Sequence, residues 1–108
     1  MAEALAAWND GNYGVALDLW APLAQAGLAR AQSNMGAAFL EGRGVERDPA
    51  KAVTWLQLAA EQGDAGGQRN LALCHYEGWG VPQDQAEAAR WYEKAAQQDD
   101  ADAQDMLS

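Results

Sequence analysis

The chain has 108 residues with sixteen acidic and seven basic side chains, so its formal net charge is −9. Phosphate contacts dominate nucleic-acid affinity, so this balance argues against DNA or RNA as a partner and equally against an anionic membrane surface. The sequence has no Ile, four Val and one Thr, whereas about a quarter of it is Ala. Since strand-favouring residues are scarce and the best helix former is abundant, we expect an all-α fold.

Apolar residues at helical spacing, separated by turn residues, predict a series of helices along the whole chain. A short opening helix stops near Gly11, and the following helices run between glycine and aspartate boundaries. The predicted helices are 2–10, 13–26, 29–41, 49–62, 65–77 and 85–98, and a last segment, 101–107, begins another unit.

Glycine and aspartate define the predicted helix ends. Gly27 and Gly63 each supply a left-handed C-terminal cap, whereas the third copy has Asp99 at that position, so we expect its turn to be the least stable. Asp48 before a proline predicts an N-cap. Asp84, with a glutamate three residues later, predicts a capping-box start.

Many residue types in the second half of the chain recur from 36 positions earlier. The recurring residues are Gly27 and Gly63; Gln32, Gln68 and Gln104; Asn34 and Asn70; Gly42 and Gly78; Gly44 and Gly80; Val45 and Val81; Asp48 and Asp84; Trp55 and Trp91; Ala59 and Ala95; and Ala60 and Ala96. A period of this length predicts stacked helix pairs that bury their apolar faces only against their neighbours. We divide this single domain into a half-unit at 1–27, repeats at 28–63 and 64–99, and a partial unit at 100–108.

The repeated residues resemble the Sel-one-like repeat family, which is related to the tetratricopeptide repeat. The resemblance is carried by Ala31-Gln32-Ser33-Asn34-Met35-Gly36, Glu41-Gly42-Arg43-Gly44-Val45, Asp48, Ala52, Trp55 and Ala59-Ala60-Glu61-Gln62-Gly63-Asp64-Ala65. The second unit departs from the pattern at Gly67, Ala72 and His75. The resemblance implies a right-handed α-α solenoid of antiparallel helix pairs and a scaffold that binds a protein or peptide partner.

The sequence offers little that would support catalysis. The Gly-x-Gly loops at 42–44 and 78–80 follow helices rather than strands, so we interpret them as turns and not as phosphate loops. Cys74 and His75 are the only cysteine and histidine, too few for a metal site built on those ligands. We therefore expect no enzyme, metal or cofactor, and keep a hydrolase only as a remote alternative.

The single cysteine also excludes an intramolecular disulfide, which fits a reducing compartment. The first residues lack a basic stretch followed by a long apolar run, so we expect no secretory signal. These features predict a cytoplasmic protein, with the periplasm as the alternative if a signal peptide has been removed.

Helical periodicity separates two faces on the first helix of each repeat. One face, with Leu28, Gln32, Met35 and Phe39 and their counterparts Leu71 and His75, predicts the core between helices. The opposite face predicts a partner-binding surface, although packing between neighbouring first helices must account for part of it. Its candidate residues are Arg30, Ser33, Ala37, Leu40, Glu41, Arg69, Leu73, Tyr76 and Glu77, and we place its centre at Leu73 and Tyr76.

Two further features suggest interactions. Trp79 occupies a loop position where the preceding repeat has Arg43, so the fold does not demand an aromatic there; it is either a binding residue or packs on a neighbouring loop. Met106 and Leu107 lie in the partial unit with no following helix to cover them. They predict weak self-association through the end of the repeat array, the alternative to the adaptor function.

Overall fold

A computed structural model of the chain describes residues 2–98, and within that range it contains six α-helices and no strand. The helices are α1 Ala2–Asn9, α2 Tyr13–Gln25, α3 Ala29–Glu41, α4 Pro49–Glu61, α5 Ala65–Glu77 and α6 Gln85–Ala96. The predicted boundaries of these six helices agree with the observed ones within two residues. Asp99 and the predicted segment 101–107 lie outside the described residues.

The helices form an all-α repeat solenoid of stacked pairs. Within the pairs, α1 packs against α2, α3 against α4 and α5 against α6. The pairs join because α3 packs on α2 and α5 packs on α4, while the first helices α3 and α5 also contact each other directly. This stacking brings the first helices of consecutive pairs side by side.

Two apolar clusters fill the stack. The first is built around Trp20 between the first two pairs, and the second around Leu56, Leu71 and Cys74 between the last two. The predicted core face of α3 is confirmed at Gln32 and Met35, which are buried. The prediction is wrong at Leu28, which is 43% exposed, because it is the extended N-cap residue of α3 and does not follow the helical period.

Aspartate caps begin two of the helices as predicted. The Asp48 carboxylate accepts a hydrogen bond from the Lys51 N–H at 3.2 Å, and the Asp84 carboxylate accepts one from the Glu87 N–H at 3.1 Å. The predicted capping box at Asp84 is only half formed. Its own N–H donates to the His75 carbonyl at 2.7 Å, so the Glu87 carboxylate pairs with Arg90 instead.

The Gly-x-Gly loops are turns, as predicted, and they bring the chain back onto the preceding pair. Gly44 and Gly80 have φ of 76° and 74°, a conformation that L side chains rarely adopt. A Cβ on Gly44 would lie 2.8 Å from the Tyr13 Cβ, and one on Gly80 would collide with the Pro49 carbonyl. Each loop therefore needs glycine both for its conformation and for its contact with the second helix of the previous pair.

A repeated set of glutamine hydrogen bonds links the pairs. Gln32 donates to the Ala24 carbonyl at 3.1 Å, and its own side-chain oxygen accepts from Gln62 at 2.7 Å. One repeat later, Gln68 donates to the Ala60 carbonyl at 3.2 Å and accepts from Gln98 at 2.7 Å. The recurring glutamines are thus buried and bonded, which explains their place in the repeat.

Candidate protein-binding surfaces

Eight of the ten predicted binding residues fall on two separate surfaces rather than one continuous face. Five of them border a cleft of about 410 Å³ formed by α1, α3 and α5 together with Trp20 of α2, and we call this the first-helix cleft. The predicted residues in it are Arg30, Ser33, Ala37, Glu41 and Arg69. The remaining lining residues are Leu5, Trp8, Trp20, Asn34, Ala65, Gly66 and Asn70.

Charges at the first-helix cleft are largely compensated by partners within the fold. Arg30 lies 3.3 Å from the Asp64 carboxylate, which also accepts the Gly67 N–H at 2.8 Å and so caps α5. Glu41 pairs with Arg43 at 2.7 Å. Arg43 also donates to the Tyr13 hydroxyl at 2.8 Å, and this hydrogen bond is the main reason why the pKa of Arg43 is raised.

The second surface is an apolar groove of about 550 Å³ between α5 and α6, which we call the end groove. It contains the predicted residues Leu73, Tyr76 and Glu77, and Tyr76 is 48% exposed. The other side is formed by Gln85, Ala88, Ala89 and Tyr92 of α6. Burial raises the pKa of the Tyr92 phenol above its ordinary value. The groove therefore offers two aromatic rings and aliphatic surface, with one acid at its border.

Two of the predicted surface residues are buried instead. Leu40 is only 8% exposed because it belongs to the second apolar cluster, together with Leu71 and Cys74 of α5. Ser33 is 5% exposed, since α5 approaches it closely enough that a Cβ on Gly66 would contact its hydroxyl at 3.4 Å. Packing between neighbouring first helices thus accounts for both, as expected for part of this face.

Trp79 packs rather than projecting freely from its loop. It is partly buried against the second apolar cluster, and the Arg47 guanidinium lies 5.4 Å from the centre of its ring. Arg43, its counterpart, likewise lies over an aromatic ring, that of Tyr13, at 5.4 Å. Each loop therefore makes a cation–π contact at this position. The first loop supplies the cation, Arg43, and the second supplies the aromatic ring, Trp79.

Sequence reasoning missed the α6 side of the end groove and the two asparagines of the first-helix cleft. The prediction drew binding residues only from the first helix of each pair and one loop, whereas Tyr92 lies on a second helix, at the position that Leu56 holds one repeat earlier. Across residues 2–98, no cluster of His, Cys, Asp or Glu is suited to holding a metal ion. None of the helices in that range is long and apolar enough to cross a membrane.

Comparison with known proteins gives a consistent family and fold. The family model described as "Sel1 repeat" matches residues 29–64 and 65–100. A crystal structure of a Sel1 repeat protein from Oxalobacter formigenes superposes with a TM-score of 0.87 at 32% identity, covering 94% of this chain and 42% of that one. No protein of curated function matches the chain significantly.

A second solved structure is that of a protective antigen present in uropathogenic Escherichia coli strains, which displays an SLR fold. It has a TM-score of 0.82 and 40% identity, and the match covers 88% of this chain and 20% of the antigen. The chain therefore spans less than half the length of either protein.

Proposed function

Because the chain belongs to the Sel1 repeat family, whose repeats are generally protein–protein interaction modules, we propose that it is a non-enzymatic adaptor that binds a helical segment of a protein partner in the end groove. The observation that carries the proposal is the exposure of this apolar groove. Exposed apolar grooves bordered by polar residues are common interaction sites on folded proteins. Protein-interaction helices dock through an apolar face into such grooves.

The internal repeat supports a helix as the occupant. Moving the five apolar and aromatic groove residues back by 36 positions gives Ala37, Leu40, Ala52, Val53 and Leu56. In that repeat, Leu40, Ala52 and Leu56 are buried in the same cluster as Leu71 and Cys74 of α5. Most of the equivalent surface one repeat earlier is thus covered by α5, an amphipathic helix with a leucine and a small residue three positions apart.

The side chains at the groove suit such a partner. Tyrosine is enriched among the residues that dominate binding energy, and Tyr76 lies beside Leu73 where both can be covered by one helix. Glu77 at the border is exposed, and the whole chain carries a net charge of −9. We therefore expect the partner helix to present an apolar stripe flanked by basic residues.

The test is the double substitution Leu73→Ser, Tyr76→Ser. A partner recovered by affinity purification from the source cell and identified by mass spectrometry would be titrated against the variant and the parent. We expect the variant to bind weaker by about 2 kcal/mol or more, which is roughly thirtyfold. Leu58→Ser is the matched control, since Leu58 is 44% exposed on α4 and does not line the groove.

Two results would contradict the proposal. Loss of helical circular dichroism in the double variant would make the two residues part of the core. Unchanged partner affinity in a folded variant would remove the end groove from the function.

A second candidate function is self-association through the ends of the array. The N-terminal pair also presents an apolar groove, of about 370 Å³, lined by Ala2, Ala4, Leu19, Pro22 and Leu23 together with Glu3. Leu19 is 38% exposed there. If two chains stack end to end, Leu19→Glu should lower the average mass measured by sedimentation at high concentration. If the parent chain is already monomeric under the same conditions, self-association is not its function.

A further inference from the structure

Glu77 lacks the cationic partner that its counterpart has in the preceding repeat. Glu41 lies 36 residues earlier and pairs with Arg43 at 2.7 Å. In the second repeat the position of Arg43 is held by Trp79, which packs against the second apolar cluster. Glu77 is therefore exposed at the end groove and forms no ion pair within residues 2–98.

The preceding repeat shows how such a carboxylate holds a guanidinium together with a tyrosine. The Arg43 Nε lies 2.7 Å from Glu41 Oε2, and its Nη1 donates to the Tyr13 hydroxyl at 2.8 Å. The guanidinium also lies over the Tyr13 ring, 5.4 Å from its centre. One arginine thus makes an ion pair, a hydrogen bond to a phenol and a cation–π contact at once. Its planar set of donors allows this combination, which the single ammonium of lysine does not match.

The end groove contains the same acceptor groups around Glu77. Tyr76 and Tyr92 line the groove with it, from α5 and α6, and within residues 2–98 neither phenol oxygen forms a hydrogen bond. Burial is the main reason why the pKa of Tyr92 is raised; of the nearby charges, Arg69 lowers it and Glu77 raises it. The Glu77 carboxylate is therefore close enough to act on this phenol. Arg69 lies about two turns earlier on α5 and lines the first-helix cleft instead.

The helix that covers the equivalent surface one repeat earlier carries an arginine itself. α5 packs Leu71 into the apolar cluster that holds Leu40, and its Arg69 lines the same cleft as Glu41. A partner helix that follows the register of α5 therefore brings an arginine, two residues before its leucine, to the Glu77 side of the end groove.

We propose that the end groove selects a partner helix with one arginine beside its apolar stripe, and that Glu77 and the Tyr76 and Tyr92 phenols bind this guanidinium. The inference rests on the proposed adaptor function, because the helix that covers Leu73 also delivers the arginine. The net charge of −9 favours the approach of a cation. Since Glu77 is exposed, the arginine contact weakens as the salt concentration rises.

The probe is a phage-displayed library of helical peptides selected on the full 108-residue chain. The peptides are about 20 residues long, because shorter isolated helices are marginally stable. A leucine and an alanine three positions apart are fixed in a helix-favouring background, and the other positions are random. Each enriched peptide is then synthesised with its arginine intact, replaced by lysine, or replaced by citrulline, which is neutral and nearly isosteric.

Calorimetric titration compares these peptides on the parent and on folded variants. Glu77→Gln removes the charge of the site, and Tyr92→Phe removes one phenol oxygen while it keeps the ring. Glu93→Gln is the matched control, since Glu93 is an exposed acid of α6 that does not line the groove. Circular dichroism checks that each variant keeps its helices.

We expect the enriched peptides to share an arginine at one position. Citrulline there should weaken binding to the parent and to Glu93→Gln by about tenfold, and to Glu77→Gln by no more than about twofold. Lysine should bind weaker than arginine, and Tyr92→Phe should lower the affinity of the arginine peptide. Added salt should weaken the arginine peptide more than the citrulline peptide.

The outcomes separate this inference from the adaptor function. If the peptides bind the parent and fail on Leu73→Ser, Tyr76→Ser but share no arginine, the inference is wrong and the adaptor function stands. The same holds if citrulline weakens binding to Glu77→Gln as much as to the parent. If no helix is enriched, or if the peptides bind the Leu73→Ser, Tyr76→Ser variant as they bind the parent, both are wrong.

Discussion

Gly36 allows α3 and α4 to pack closely, and replacing it with alanine tests that contact. A Cβ on Gly36 would lie 2.6 Å from both Cγ and Cδ2 of Leu56 and 3.2 Å from the Ala52 carbonyl oxygen. Cγ is the branch point of the leucine side chain, so the whole isobutyl group must move. Leu56 is 0% exposed inside the second apolar cluster and has no solvent to move into.

Two opposing terms set the size of the effect. Alanine is better than glycine inside a helix by about 0.8–1.0 kcal/mol, whereas overpacking a filled core costs about 1–3 kcal/mol. Since the contact involves Cγ as well as the terminal methyl, we place the cost in the upper part of that range. Gly36→Ala should therefore lower the free energy of unfolding by about 1–2 kcal/mol.

The sign should reverse when Leu56 is truncated. In a Leu56→Ala background both clashing atoms are absent, so Gly36→Ala should raise the free energy of unfolding by about 0.5–1 kcal/mol, although Leu56→Ala itself costs about 2–5 kcal/mol. The coupling between the two positions is then about 1.5–3 kcal/mol, as for residues in direct contact. The next repeat shows that alanine is tolerated at this position of the helix. Ala72 lies there 36 residues after Gly36 and is fully buried, and Tyr92 takes the place of Leu56 opposite it.

Urea unfolding followed by circular dichroism measures all four members of the cycle. The slope of the transition must stay constant for the comparison to report stability alone. If Gly36→Ala stabilises the parent, the packing argument fails. If the effect has the same sign with and without Leu56, the cost of the alanine does not arise from this contact.

The helix ends and the buried thiol provide three further tests. Asp99→Gly should raise the free energy of unfolding by about 0.5–1 kcal/mol by restoring the glycine of the other units; a lower melting temperature would contradict this. Met106→Glu with Leu107→Glu should reduce any dimer seen by sedimentation, and an unchanged mass distribution would exclude this segment. Burial raises the pKa of the Cys74 thiol to about 11, against about 8.5 in an unfolded chain. The unfolded state loses its proton first, so the free energy of unfolding should fall between about pH 9 and pH 11. Cys74→Ala, which copies the buried Ala38 of the preceding repeat, should remove that slope.

The helices and their stacking could be predicted because their signals are local and repeated. Gly42 and Gly78 end helices in the left-handed conformation, and Asp48 and Asp84 begin them, as their residue types indicate. A 36-residue period then requires each pair to pack on the next. Leu28 is more exposed than predicted because it is the N-cap residue of α3. Its backbone is extended, so its side chain does not follow the helical period that the prediction used.

Exposure of the candidate site could not be predicted to the same degree. Leu40 and Tyr76 occupy equivalent positions of the repeat, yet one is 8% exposed and the other 48%. In both helices the residue lies on the same face, so the helical pattern alone predicts the same exposure for both. The difference comes from α5, which covers Leu40 with residues such as Leu71 and Cys74 that are distant in the chain.

The repeated amides show a similar limit of prediction from sequence. Gln32 and Gln68 recur at the repeat interval because they are buried and join consecutive pairs by hydrogen bonds. Asn34 and Asn70 recur at the same interval, but they lie two residues further along each helix, which rotates them out of the interface and onto the cleft wall. Recurrence at the repeat interval therefore does not by itself show whether a residue joins the helix pairs or lies at the surface. Burial and hydrogen bonding, which depend on the packing of distant helices, distinguish the two sets: the glutamines are 4% exposed and bonded, whereas the asparagines are partly exposed.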